Sequence, residues 1–183
     1  MKCSNLEIND VFLLEPIKHS DERGYFMESY NQRTFNEQVG GKIEFVQDNI
    51  SFSKKGVLRG IHLQTDPFAQ GKLVRVEEGK IFDVAIDLRK DSKTYLKWVG
   101  EILSGENLKQ LWIPEGFGHA FLTLSQSAKV CYKTTNFYKK DSEKTILFSD
   151  PKINIDWEIF DLDINFKMVF VISFFLLLNL LEI

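Results

Sequence analysis

An all-β, double-sheet jelly roll is the fold this chain predicts, and three observations predict it. Short runs rich in β-branched and aromatic residues recur along its 183 residues. Gly, Pro, Asn or Asp punctuates them at about ten-residue spacing, and no long stretch holds a helical period. The length suits a single domain, enough to bury about 70% of the unfolded surface without disulfides or metal.

The elements follow in chain order. A short helix is expected at "NQRTFNEQVG", closed by Gly40, which accepts the left-handed cap conformation. "GVLRGIHLQ", Gly56 to Gln64, reads as a strand. "GKLVRVEEGKIFDVAIDL" reads as a hairpin turning at Gly79, where a tight turn requires a positive φ. Further strands are expected at "WVGEIL", "QLWIP", "AFLTL", "KVCYKTTNFY" and "KTILFSD". There is no repeat, low-complexity tract or linker.

Charge and cysteine usage narrow the partners. The net charge of −3 and pI near 5.7 come from interspersed lysines and acids, so no nucleic-acid surface is expected and an anionic ligand needs a local cationic cluster. Cys3 and Cys131 are the two cysteines, one near the N-terminus and one in an apolar run, a usage that suits a reducing, cytoplasmic setting. "MKCSNLEIND" has no apolar core of signal-peptide length. Met168 to Leu181, "MVFVISFFLLLNLL", is uncharged and apolar but shorter than the roughly 20 residues of a membrane-spanning helix, so no membrane association is expected. The division expected is a domain over residues 1–166 and an atypical apolar tail over 167–183.

The three histidines are the candidates for a base working near neutral pH. His19 sits in the evident loop "KHSDERG", where solvation explains it; His62 and His119 lie in apolar stretches beside glycines. Strict alternation places Arg59 and His62 on opposite faces of their strand, because their separation is odd. Gly60 between them is the mark of a bulge that shifts the phase and turns both toward one cavity. A histidine satisfied by a carbonyl and a surface arginine is the alternative this segment leaves open. Lys72 opening "KLVRV", Tyr132 inside "VCYKT", and Gln47 and Asn49 in "FVQDNI" add polar groups in other apolar runs. Together they make a base, a phenolic acid and cations suited to phosphate or an enolate.

Metal is the rival explanation. Many metal-holding jelly rolls use a His-x-His pair with a later Glu and His, but here the triplet is "HLQ" and the second ligand becomes Gln64, a neutral amide that zinc and iron disfavour. No metal and no cofactor is therefore expected. No Walker loop is present, and no G-x-G-x-x-G follows a strand.

In order along the chain, "DERGYFMESYN", "FVQDNISFSKKGVLRGIHLQ", "AQGKLVRVEEGKIFDVAIDLRKDS", "LWIPEGFGHAF" and "YKTTNFY" closely resemble the dTDP-4-dehydrorhamnose 3,5-epimerase family, from about Pro16 to Trp157. The resemblance implies a cupin-type jelly roll, the double-stranded β-helix, that acts without cofactor and as a homodimer. It also implies an isomerase acting on a nucleotide diphosphate 4-keto-6-deoxy sugar, in surface polysaccharide biosynthesis. His62 matches the general base, Lys72 the group that steadies the enolate, and Tyr132 the residue returning a proton from the opposite face. Arg23 and Arg59 match phosphate contacts. Glu28, Gln47, Asn49, His119 and Glu143 match other substrate contacts, and Tyr138 matches the aromatic that stacks on the nucleotide base. The same resemblance admits a GDP-linked 4-keto-6-deoxy heptose, inversion at C3 alone, or a sugar-nucleotide binder that has lost turnover. A metal-dependent cupin oxygenase ranks last.

The resemblance stops after Trp157. The family continues with an "S-x-K-D" motif whose Asp pairs with the base histidine, and this chain reads "DWEIFDLDINFKMVF" instead. Asp161 and Asp163 are the nearby carboxylates, each several residues early. A reading-frame change or a divergent tail packed on the domain would each produce that ending.

Overall fold

The computed structural model describes residues 1–157 and 160. Thirteen strands and one α-helix follow in chain order: β1 (Lys2–Asn5), β2 (Phe12–Glu15), β3 (Lys18–Asp21), β4 (Gly24–Met27), α1 (Gln32–Val39), β5 (Gln47–Lys54), β6 (Leu58–Gln64), β7 (Lys72–Glu78), β8 (Lys80–Asp87), β9 (Trp98–Ser104), β10 (Gln110–Ile113), β11 (Phe117–Thr123), β12 (Ser127–Thr134) and β13 (Glu143–Thr145). A six-stranded sheet, β1-β2-β10-β7-β12-β5, faces a five-stranded one, β13-β6-β11-β8-β9. β3 and β4 form a separate two-stranded hairpin. The two facing antiparallel sheets make the jelly roll that the sequence predicts.

The core between the sheets is made by inward residues of both, including Val74, Val76 and Val130 from the larger and Ile81, Ala85 and Phe121 from the smaller. Both outer faces are covered in part. α1 lays Phe35 against Trp112 with ring centroids 5.3 Å apart, and is held at its ends as its sequence indicates. The Asn31 side chain accepts from the amides of Arg33 and Thr34, and Gly40 takes φ 80° at the C-cap. Over the smaller sheet, Ile153, Ile155 and Trp157 pack on Phe82 and Ile86. β8 is accordingly buried from Ile81 to Asp87 on both faces, which explains its nearly continuous apolar run.

Two expectations are corrected. "KLVRVEEGKIFDVAIDL" is not a hairpin: β7 belongs to the larger sheet and β8 to the smaller, and the chain crosses the end of the sandwich at Gly79. Gly79 has φ 82°, and a Cβ there would run into the Ser127 carbonyl and the Ser125 hydroxyl, so the crossing is as tight as a hairpin turn and has the same sequence signature. The strand expected over "KTILFSD" shortens to β13, because only Glu143–Thr145 pairs with β6 before the chain leaves to cover the sheet. The domain boundary at residue 166 and the tail 167–183 lie outside the described residues.

Candidate active site

The bulge expected at Gly60 is present. Across the β6–β11 pairing, His62 stands opposite His119 and Arg59 opposite Phe121. Those partners are two apart on β11 and share a face, so Arg59 and His62, three apart on β6, share one too. Gly60 absorbs the extra residue with φ 113°, and a Cβ there would strike the His119 carbonyl and Ala120. The glycine is therefore demanded both by backbone conformation and by space.

A cavity of about 240 Å³ opens beside this strand, lined by His62, Lys72, Tyr132, Gln47, Asn49, Tyr138 and Glu143, with Leu63, Gln64 and Gln70. The walls come from different sheets. His62 projects from β6 in the smaller sheet, whereas Lys72 and Tyr132 project from β7 and β12 in the larger one. On the larger sheet Asn49 pairs with Tyr132 and Gln47 with Thr134, so both amides share the inward face with the phenol. Gln47 donates from Nε2 to Asn49 Oδ1 at 2.9 Å and accepts at Oε1 from the Tyr138 amide at 3.0 Å. The Tyr138 hydroxyl donates to Glu143 Oε2 at 2.9 Å.

Arg59 reaches across the gap between the sheets, donating from Nε to Ser53 Oγ at 2.9 Å and from Nη2 to the Phe52 carbonyl at 3.3 Å. His119 sits behind His62, ring centroids 5.6 Å apart, and its Nε2 lies 2.7 Å from Asp83 Oδ1. Asp83 is fully buried and its Oδ2 has no hydrogen-bond partner among the described residues. The sequence reading does not single out Asp83. Its available signal is a carboxylate inside the apolar run "IFDVAI", on a strand covered from both sides.

Burial sets the protonation states. It lowers His62 well below the ordinary imidazole value, helped by the positive charge of Lys72, and keeps it neutral. It lowers His119 in the same way. It brings Lys72 down to about 8, against the pull of Asp83 and Glu143, so the amine remains largely cationic at neutral pH. Asp83 is raised by burial, with Lys72 drawing it back. Tyr132 is raised by burial, Arg59 opposing and Glu143 adding, so its phenol stays protonated. A neutral imidazole, a protonated phenol and an ammonium therefore share one enclosure. This set can remove a proton from carbon, steady an enolate oxygen and return a proton from the other wall.

Arg23 and Glu28 are not brought to this cavity. Arg23 lies between β3 and β4 and its side chain, 85% exposed, pairs with Asp21. Glu28 follows β4 and accepts from Asn31 Nδ2 at 3.1 Å. The hairpin they flank carries exposed Tyr25 and Phe26. Asp161 and Asp163 lie outside the described residues. Among the described residues no group of three or more His, Cys, Asp or Glu could hold a metal ion.

Comparison with known proteins shows the family. The family model described as dTDP-4-dehydrorhamnose 3,5-epimerase matches residues 5–172. The dTDP-4-dehydrorhamnose 3,5-epimerase of Shigella flexneri is 58% identical over 159 residues, covering 87% of this chain and 88% of its own. That of Salmonella typhimurium is 58% identical over 150 residues, 82% of each chain. Among solved structures, the dTDP-6-deoxy-D-glucose-3,5-epimerase of Legionella pneumophila, in complex with dTDP-4-keto-L-rhamnose, superposes with TM-score 0.83 at 48% identity. It covers 85% of this chain and 82% of its own. A match over most of the chain at such identity, on a jelly roll with this cavity, settles the kinship: the chain belongs to the dTDP-4-dehydrorhamnose 3,5-epimerase family.

Proposed function

We propose that this chain inverts C3 and C5 of dTDP-4-keto-6-deoxyglucose, giving dTDP-4-keto-rhamnose, by proton abstraction through an enolate. The observation that carries the reading is the placement of His62 and Tyr132 on opposing sheets of one cavity, with Lys72 on the same inner wall as the phenol. The C4 ketone acidifies the hydrogens on C3 and C5. Neutral His62 removes one of them, and the Lys72 ammonium takes up the charge that develops on the ketone oxygen. Tyr132 delivers its proton to the opposite face of the same carbon, which inverts it. Removal and return from the same side would restore the starting configuration, so the two-walled geometry is what makes the reaction productive.

Arg59 serves the diphosphate, for which its guanidinium fork is shaped. Gln47, Asn49 and Glu143, which line the cavity, contact the sugar, His119 backs His62 from behind, and Tyr138, 47% exposed at the mouth, stacks on the nucleobase. Arg23 and Glu28 act on the same substrate class from a second copy of the chain. Supporting this are their absence from the cavity lining, the exposed aromatics of their hairpin, and exposed Ile50 and Phe52 on the edge strand β5. The working unit is then a homodimer in which each protomer lends its hairpin to the other.

Turnover of dTDP-4-keto-6-deoxyglucose in heavy water tests the reading. Two deuterons in the recovered sugar are expected. One deuteron shows inversion at C3 alone, and tight dTDP binding without exchange at either carbon shows a binding protein; either result overturns it. A GDP-linked 4-keto-6-deoxy heptose in parallel is expected to exchange more slowly.

A further inference from the structure

Gln64 ends β6 two residues beyond His62, and its side chain is enclosed, 5% exposed. Both of its amide hydrogens are used: Nε2 donates to the Phe68 carbonyl at 2.7 Å and to the Phe137 carbonyl at 3.1 Å. Its Oε1 accepts from the Lys139 amide at 2.7 Å. The partners fix the orientation, since a reversed amide would set oxygen against two carbonyls and nitrogen against an N–H. These groups belong to two segments at the cavity mouth, the one joining β6 to β7 and the one following β12, which carries Tyr138. The position that a metal-holding jelly roll gives to the second histidine of a His-x-His pair here faces backbone groups.

We propose that Gln64 is a positioning residue that sets the nucleobase platform: it clamps residues 137–139 to the end of the His62 strand, so Tyr138 is in place before substrate arrives. The proposal rests on the reading of Tyr138 as the nucleobase contact. Two other bonds hold Tyr138 from different directions, its amide to Gln47 Oε1 and its hydroxyl to Glu143 Oε2. Glu143 is itself paired with Gln64 across β6 and β13. Gln64 is the member of this set that reaches both mouth segments at once. Ordering them in the free protein removes that entropic cost from binding. Loss of the clamp should therefore weaken nucleotide affinity and leave the proton transfers at His62 and Tyr132 nearly as fast at saturation.

Two variants of the full chain test this. Gln64→Met keeps length and bulk but none of the bonds, and Gln64→Glu keeps the acceptor for Lys139 while removing both donors. For each, dTDP affinity is measured at equilibrium and kcat and KM by deuterium exchange. The expected result is an affinity loss of about tenfold or more with kcat within about threefold of wild type. In a Tyr138→Ala background Gln64→Met should add less than about twofold, because both changes act through one platform. Fully additive losses, or a fall in kcat with affinity unchanged, overturn the proposal. A Tyr138→Ala variant that binds dTDP as tightly as wild type removes the nucleobase reading instead. Should neither Gln64 variant fold, amide hydrogen exchange on the unliganded wild-type protein decides: protection of Tyr138 and Lys139 comparable to β12 supports the clamp, and exchange at the rate of open chain overturns it.

Discussion

His119 and Asp83 meet behind His62, Nε2 to Oδ1 at 2.7 Å, with neither side chain appreciably exposed. Burial works against charge on either group, and the nearby cation is Lys72, itself 3% exposed. The pair thus links the protonation of Lys72 to a carboxylate that never touches solvent.

Replacing that carboxylate should move a titration. In Asp83→Asn the charge that Asp83 lends to the Lys72 ammonium is removed, so the Lys72 pKa falls below the present value of about 8. In the proposed mechanism the protonated amine steadies the enolate, so activity is lost as pH rises through that pKa, and the alkaline limb of kcat/KM should shift toward acid. The pH profile of deuterium exchange measures it; an alkaline limb unmoved in Asp83→Asn counts against the coupling.

The acid limb has a different owner. In the proposed mechanism His62 works as the neutral imidazole, and burial beside Lys72 and Arg59 lowers its pKa well below 6.5. Activity should therefore remain full at pH 6.5 and fall only as the solution is made distinctly more acidic. A profile of kcat/KM with its acid midpoint at or above 6.5 would show that His62 is more solvated than the structure has it.

Tyr132→Phe should separate proton removal from proton return. His62 and Lys72 are untouched, so exchange of the first hydrogen with heavy water continues. Inverted product, which needs the acid on the far wall, should form about 10² to 10⁴ times more slowly. Mass analysis of recovered substrate and chromatography of product read the two events separately.

Gly60→Ala is expected to be the most damaging small substitution on β6. The new Cβ meets the His119 carbonyl and Ala120 on the neighbouring strand, at a φ of 113° that residues with a side chain avoid. A cost of about 3 kcal/mol is expected from the sum of backbone strain and overpacking. Denaturant unfolding gives the number, and any folded fraction should exchange poorly because the phase relation of Arg59 and His62 is lost.

Sharing of sites between protomers is open to complementation. His62→Asn and Arg23→Ala homodimers should each be nearly inactive. Mixed through unfolding and refolding, they should recover about a quarter of wild-type activity, since half the dimers then hold one intact site. No recovery in a mixture shown to contain heterodimers would place Arg23 and His62 on the same chain's site.

The bulge at Gly60, the helix ends at Asn31 and Gly40, and the convergence of His62, Lys72 and Tyr132 were legible in the sequence. Each rests on a local rule of side-chain phase or capping, or on motifs held in order. The split of β7 and β8 between sheets was not legible, because a tight crossing and a hairpin both place a positive-φ glycine between two apolar runs. Asp83 was missed for a related reason: alternation marks faces, and on a strand covered on both sides an inward carboxylate looks like any other polar interruption. Arg23 and Glu28 lie off the cavity, and a local motif carries no signal of where a hairpin is placed relative to it.

The separation of His62 and Tyr132 onto facing sheets makes the stereochemical result a matter of sandwich thickness. In the proposed mechanism base and acid stand on these two sheets, and Val74, Ala85 and Val130 pack between the layers without lining the cavity. A core substitution that brings the layers closer or lets one slide would change which carbon is presented to both walls, and so the ratio of singly to doubly inverted sugar, without altering a single reacting group.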